Sequence, residues 1–189
     1  MSNIRPASQG ATLDTKGPML NFLFPRLTPA QRRGQPLFDG AVGEARARHW
    51  YVEAGVPDTL DGRFAMLATV CAMVSIRLEA LAERGAEQSA ALTERFVEAM
   101  DAEHRQMGVS DPALGRTVRR LVSALGNRAD IWREAVAGTA DWRDAAARSV
   151  YRGTPPSDNA LDHTAAGLDS LWQSLRAMSD ETLIEGRIG

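Results

Sequence analysis

Phe64-Ala65-Met66-Leu67-Ala68-Thr69-Val70-Cys71-Ala72-Met73-Val74-Ser75-Ile76 is the longest apolar stretch without a charge in the chain. It shows no two-residue alternation, so it does not read as a half-buried strand. Wound as a helix, it is apolar around its whole circumference, and a helix apolar on every face is buried on every face. We therefore read it as the core of a central helix running from about Leu60 to Arg84. As a membrane span it is too short. Its helical length is roughly 20 Å, against about 30 Å for the hydrocarbon core of a bilayer.

Working outward, Gly55-Val56-Pro57-Asp58-Thr59 breaks the chain before this helix. Gly55 suits the position after a helix end, Pro57 cannot continue a helix, and Asp58 or Thr59 can cap the next one. A first helix over Asp39 to Ala54 precedes the break and carries Val42, Ala45, Ala47 and Trp50. On the other side, Gly85 is expected to end the central helix. A third helix, Ser89 to Gln106, follows with Leu92, Phe96, Val97 and Met100 on one stripe. Gly108 ends it, and Asp111-Pro112 starts a fourth helix carrying Leu114, Val118, Leu121, Val122 and Leu125. Gly126-Asn127 is expected to break that helix, leaving a fifth from Arg128 to Ala137. Thr139 is expected to cap a sixth, Ala140 to Tyr151. After the Gly153-Thr154-Pro155-Pro156 loop, Asp158 opens a last long helix with Leu161, Leu168, Leu171, Trp172 and Leu175 inward. No strand pattern occurs. The expectation is an all-α fold: a single compact domain, residues 38–189, of six to seven helices around one central buried helix. Residues 1–37 read as a flexible N-terminal leader.

Composition agrees. The 189 residues suit one domain, and 44% hydrophobic with 24% charged residues is ordinary for a globular protein. A net charge of −2 argues against a nucleic-acid binder. Cys71 is the only cysteine, which excludes an internal disulfide framework. Met1 to Gly17 shows no apolar signal region, and Met19 offers a second plausible start, so the cytoplasm is the expected compartment. Charge is uneven. Residues 1–50 carry seven basic and three acidic groups, whereas residues 51–110 carry five and ten. The basic part also holds Leu20, Phe22, Leu23 and Phe24 beside Arg26. Apolar plus cationic is the pattern of an arm that lies on an anionic membrane surface or docks on a partner.

Catalytic chemistry is hard to find. His49, His104 and His163 lie in different helices without a second ligand at metal-binding spacing. Cys71 sits on the most apolar helix, where a thiol is inert. There is no phosphate-binding glycine loop and no nucleophile elbow. Asp58, Asp61, Asp101 and Asp111 could be offered as paired carboxylates, but Asp58 and Asp111 are accounted for by capping, which leaves little for acid–base work. We expect no enzyme, no metal and no cofactor.

Two stretches exceed what a core needs. One runs from Trp50-Tyr51 through Gly55-Val56-Pro57-Asp58-Thr59 to Gly62-Arg63-Phe64. The other comprises Phe96 to Asp101 and Met107-Gly108-Val109-Ser110-Asp111, then Gly115, Arg119 and Gly126-Asn127-Arg128. In this order, over about Leu20 to Ala137, they resemble the ubiquinol–cytochrome c chaperone family. Residues 139–185 lie beyond the resembling part and read as extra C-terminal helices. Ser110, Arg116 and Leu125 depart mildly from the family pattern. The resemblance implies a non-enzymatic chaperone that binds newly made cytochrome b and assists assembly of the respiratory bc1 complex. It implies a peripheral position on the cytoplasmic face of a bacterial inner membrane, with room for a second assembly factor. The partner-binding residues expected on this basis are Trp50, Tyr51, Pro57, Asp58, Thr59, Arg63, Asp101, Asp111, Arg116, Arg119 and Arg128. The corner around Trp50–Phe64 and that around Gly108–Arg119 are expected to meet and frame the client site. Two other readings stay open: a helical protein with a quinone- or lipid-sized pocket, and an adaptor for some other partner.

Overall fold

In the computed structural model, residues 33–106, 114–185 and 187–188 are described, without the side chains of 104–106, 114, 115 and 117. The described residues form eight helices and no strand: α1 (Gln35–Ala45), α2 (Arg48–Val52), α3 (Leu60–Glu79), α4 (Ala82–Gln106), α5 (Leu114–Val136), α6 (Trp142–Val150), α7 (Asp158–Ala177) and α8 (Asp180–Ile184). The charge-free run lies in α3, and every residue from Ala65 to Ile76 is buried. Helices α1, α4, α5, α6 and α7 all pack against it. Five neighbours leave it no solvent face, which is why it has no polar face. Its buried Thr69 hydroxyl lies 2.7 Å from that of Ser149, and Trp132 Nε1 donates to the same Ser149 oxygen at 3.0 Å. Polar groups from α3, α5 and α6 thus satisfy one another in the core.

Several boundaries differ from the sequence expectation, each for a local reason. The first expected helix is two. Ala47 is extended (φ −54°, ψ 132°) between α1 and α2. Carbonyls at the end of α1 accept from the aromatics of α2. Trp50 Nε1 donates to Glu44 O at 2.9 Å, and the Tyr51 hydroxyl to Ala45 O at 2.8 Å. Helix α3 ends at Glu79, six residues before Gly85, and the chain turns at Ala82 with φ +50°. Gly85 lies inside α4, where a Cβ would come 1.9 Å from the Leu78 carbonyl oxygen. It marks a close approach between chain segments and not a helix end.

Gly126-Asn127 does not break the fourth helix either. Leu121, Leu125, Ala129, Trp132 and Ala135 keep one buried stripe through α5, while Gly126, Asn127 and also Val122 face solvent. An exposed mid-helix glycine costs only about 1 kcal/mol, which a continuous stripe outweighs. Helix α6 is capped by Asp141, whose Oδ1 accepts from the N–H groups of Arg143 and Asp144. Thr139 instead turns back and donates to Glu134 O, closing α5. Ser157 caps α7, and Ser179 caps the short α8, which sequence periodicity did not show.

The C-terminal helices belong to the core. Leu168, Leu175 and Leu183 are fully buried. Arg77 of α3 donates to the carbonyls of Leu175 and Met178 and to the Asp180 carboxylate at 2.8 Å, pinning the α7–α8 corner. The N-terminal arm, the Gly108 helix end and the Asp111-Pro112 start lie outside the described residues.

Candidate interaction groove

The α2–α3 corner is built by backbone constraints that few residues satisfy. Gly55 takes φ +64°, a conformation that L side chains resist. Val56 N–H then donates to Trp50 O at 3.0 Å, and the Val56 side chain is buried. Thr59 Oγ1 accepts from Gly62 N–H at 3.3 Å and caps α3. A Cβ at Gly62 would stand 2.0 Å from the Pro57 carbonyl oxygen, so no side chain fits there. From below, the Tyr151 hydroxyl donates to Ala54 O at 2.6 Å and lies 2.5 Å from the Thr164 hydroxyl. His49 Nδ1 meets His163 Nε2 at 3.0 Å. These bonds tie the corner to α7.

The rigid corner presents Pro57, Asp58, Thr59 and Arg63 to solvent. Arg63 Nε donates to Asp58 Oδ1 at 2.6 Å. Through that bond the guanidinium holds the Asp58 carboxyl below its usual range, and the carboxylate raises Arg63. Asp61 pairs with Arg152 at 3.3 Å. An exposed pair of this kind adds little stability, so its value lies in what it presents. Burial raises the Tyr51 phenol, whose ring is half-buried. Trp50 is wholly buried, so it supports the corner from within and offers no contact surface.

Beside the corner lies a groove of about 520 Å³ between α1, α3 and α4. Phe38, Val42, Leu60, Phe64, Leu67 and Met100 supply apolar lining, while Asp39, Arg46, Tyr51, Asp58, Arg63 and Glu103 supply polar groups. Asp39, Arg46, Asp58, Arg63 and Glu103 are solvent-exposed, so the groove opens to water. Leu60, Phe64 and Met100 also line a second depression, of about 510 Å³, bounded on its far side by Arg120, Leu121, Ala124, Arg128 and Arg152. Asp101 is half-buried and Arg116 and Arg119 are exposed, but none of the three lines either depression. Asp111 lies outside the described residues. Sequence reasoning missed Phe38, Arg46, Met100 and Glu103 as groove residues, because their spacing marks them only as helix stripe or helix surface. It also missed Tyr151, a lone tyrosine in a helix end.

Burial pushes the Cys71 thiol up to about 12 and leaves it inert. Among the described residues no group of three metal-ligating side chains converges, and no helix is long and apolar enough to cross a membrane. Fold and groove define an all-α protein with a filled core and an open apolar groove rimmed by charges. The family model described as ubiquinol–cytochrome C chaperone matches residues 52–188, and the chain belongs to that family. The match runs on through α6, α7 and α8, beyond the reach of the motifs read from the sequence. The fold is that of the Cbp3 homolog from Brucella abortus, with a TM-score of 0.72 at 21% identity over 90% of this chain and 95% of that one. No curated protein matches.

Proposed function

We propose that this chain is a non-enzymatic assembly chaperone of the ubiquinol–cytochrome c reductase complex that holds newly made cytochrome b in the groove beside the α2–α3 corner. The carrying observation is that a chain of this family sets the Tyr51–Phe64 motif on the wall of an open apolar groove. Apolar lining with a charged rim suits a protein segment that must be shielded from water until it is assembled. A quinone- or lipid-binding role would call for an enclosed apolar chamber. Here five helices fill the space around α3, and the groove is rimmed by exposed charges. In this reading Tyr51, Pro57, Asp58, Thr59 and Arg63 touch the client. The arm Leu20, Phe22, Leu23, Phe24 and Arg26 brings the protein to the cytoplasmic face of the inner membrane, with a second assembly factor as a further partner.

The test uses a strain lacking this chain, complemented with Arg63→Ala and Glu103→Ala together. Both positions are exposed, so the variant is expected to melt like the wild type. It should leave the membranes depleted of assembled cytochrome b by haem absorbance, and should recover less cytochrome b in pull-down. Normal assembly and recovery would sink the proposal.

A further inference from the structure

Arg128 is the one arginine on α5 whose guanidinium is turned into the protein. Its carbon lies 5.3 Å from the centre of the Phe64 ring, and Nη1 donates to Ala124 O at 3.1 Å. Nε is buried and has no acceptor. Burial and the neighbouring Arg152 both pull the group below its ordinary value, and no carboxylate counters them. A half-buried cation without a counter-ion is costly, and the cost falls when an acceptor arrives.

The surroundings say what that acceptor is. The depression next to Arg128 is lined by three arginines, Arg120, Arg128 and Arg152. Among the described residues its only carboxylate is Asp61, which Arg152 already engages at 3.3 Å. The rest of the lining is apolar: Leu60, Phe64, Met100, Leu121 and Ala124. Arginine favours carboxylate through paired N–H donors.

We infer that the depression between α3, α4 and α5 binds a carboxylate carried on an apolar protein segment, with Arg128 as its primary contact and Arg120 as an outer one. This rests on the reading of the chain as a client binder and names the chemistry of the client's anchor. An acidic side chain flanked by apolar ones would fill the lining, give Arg128 its missing counter-ion and reduce the surplus charge. The shared Leu60–Phe64–Met100 wall lets one segment occupy both depressions.

The test titrates the full-length protein with a fluorescent helix-forming apolar peptide bearing one glutamate, and with its glutamine twin, by anisotropy. The glutamate form should bind at least about tenfold tighter, as expected for a hydrogen-bonded charge. Arg128→Gln should abolish the difference without lowering the melting temperature, because it removes an uncompensated cation. Exposed Arg120→Gln should reduce the difference several-fold and supplies the test should the first variant fold poorly. Arg187→Gln, elsewhere on the surface, should change nothing. Equal binding of the two peptides, no saturable binding, or a difference that survives both pocket variants would overturn the inference. So would arginine-dependent binding to phosphatidylglycerol vesicles without peptide discrimination, which would assign the site to a lipid phosphate. None of these results depends on cytochrome b recovery, so the chaperone reading and this one fail separately.

Discussion

Cys71 shows what burial does to one side chain. Inside α3 its thiolate would have no water and no cation, so the thiol stays protonated up to about pH 12, against 9.0 ordinarily. Below pH 9 folded and unfolded chains are both protonated there, and Cys71 adds no pH dependence. Between 9 and about 12 only the unfolded chain loses the proton, so stability falls as pH rises through that window. Wild-type melting temperature should therefore drop more steeply above pH 9 than that of Cys71→Ala. Thiol reagents should label the native protein only as fast as it unfolds; fast labelling without denaturant would contradict the burial. Adjacent aromatics show the opposite lesson. Trp50 and Tyr51 stand side by side in sequence, yet one is core and the other lines the groove. The single-turn helix α2 decides which is which, and its start at Ala47 has no sequence marker.

At the scale of elements, apolar stripes were legible and several stops were not. Turn residues are local preferences of about 1 kcal/mol, and packing of a whole stripe outweighs them. Helix α5 is the clearest case, continuing through Gly126-Asn127. Gly126 is exposed, and a Cβ there would meet nothing within 4 Å. Gly126→Ala should therefore stabilise the protein by about 0.5–1 kcal/mol, through helix propensity alone. Denaturant melts measure it. A loss of stability would mean that the helix is interrupted there. Where a stop was read correctly, at Gly55 and Thr59, the residues do specific jobs: a positive φ and a cap.

For the whole molecule, the question is whether the C-terminal helices are an addition. Leu168, Leu175 and Leu183 are fully buried, and Tyr151 and Thr164 hold the Gly55 turn from beneath. Each buried leucine is worth about 2 kcal/mol, and together they rival the roughly 5–15 kcal/mol stability of a whole domain. A chain ending at Gly153 should therefore lose its cooperative melt and bind hydrophobic dye, by circular dichroism and fluorescence. A truncated chain that melts cooperatively near the wild-type temperature would restore the reading of these helices as an appendage. The same packing positions the groove, since the corner that forms its wall is clamped by α7.

The sequence by itself determined the all-α class, the central helix, the Gly55–Thr59 corner and the family. The first three follow from local chemistry, a charge-free circumference or a turn that only certain residues can make, and the family from the resemblance of its motifs. Only the tertiary structure decided that Trp50 is internal, that Arg63 pairs with Asp58, that α5 is continuous and that Phe38, Met100 and Glu103 share a groove. Those facts depend on which helix faces which, and that is set by side chains far apart in the chain competing for one buried volume around α3.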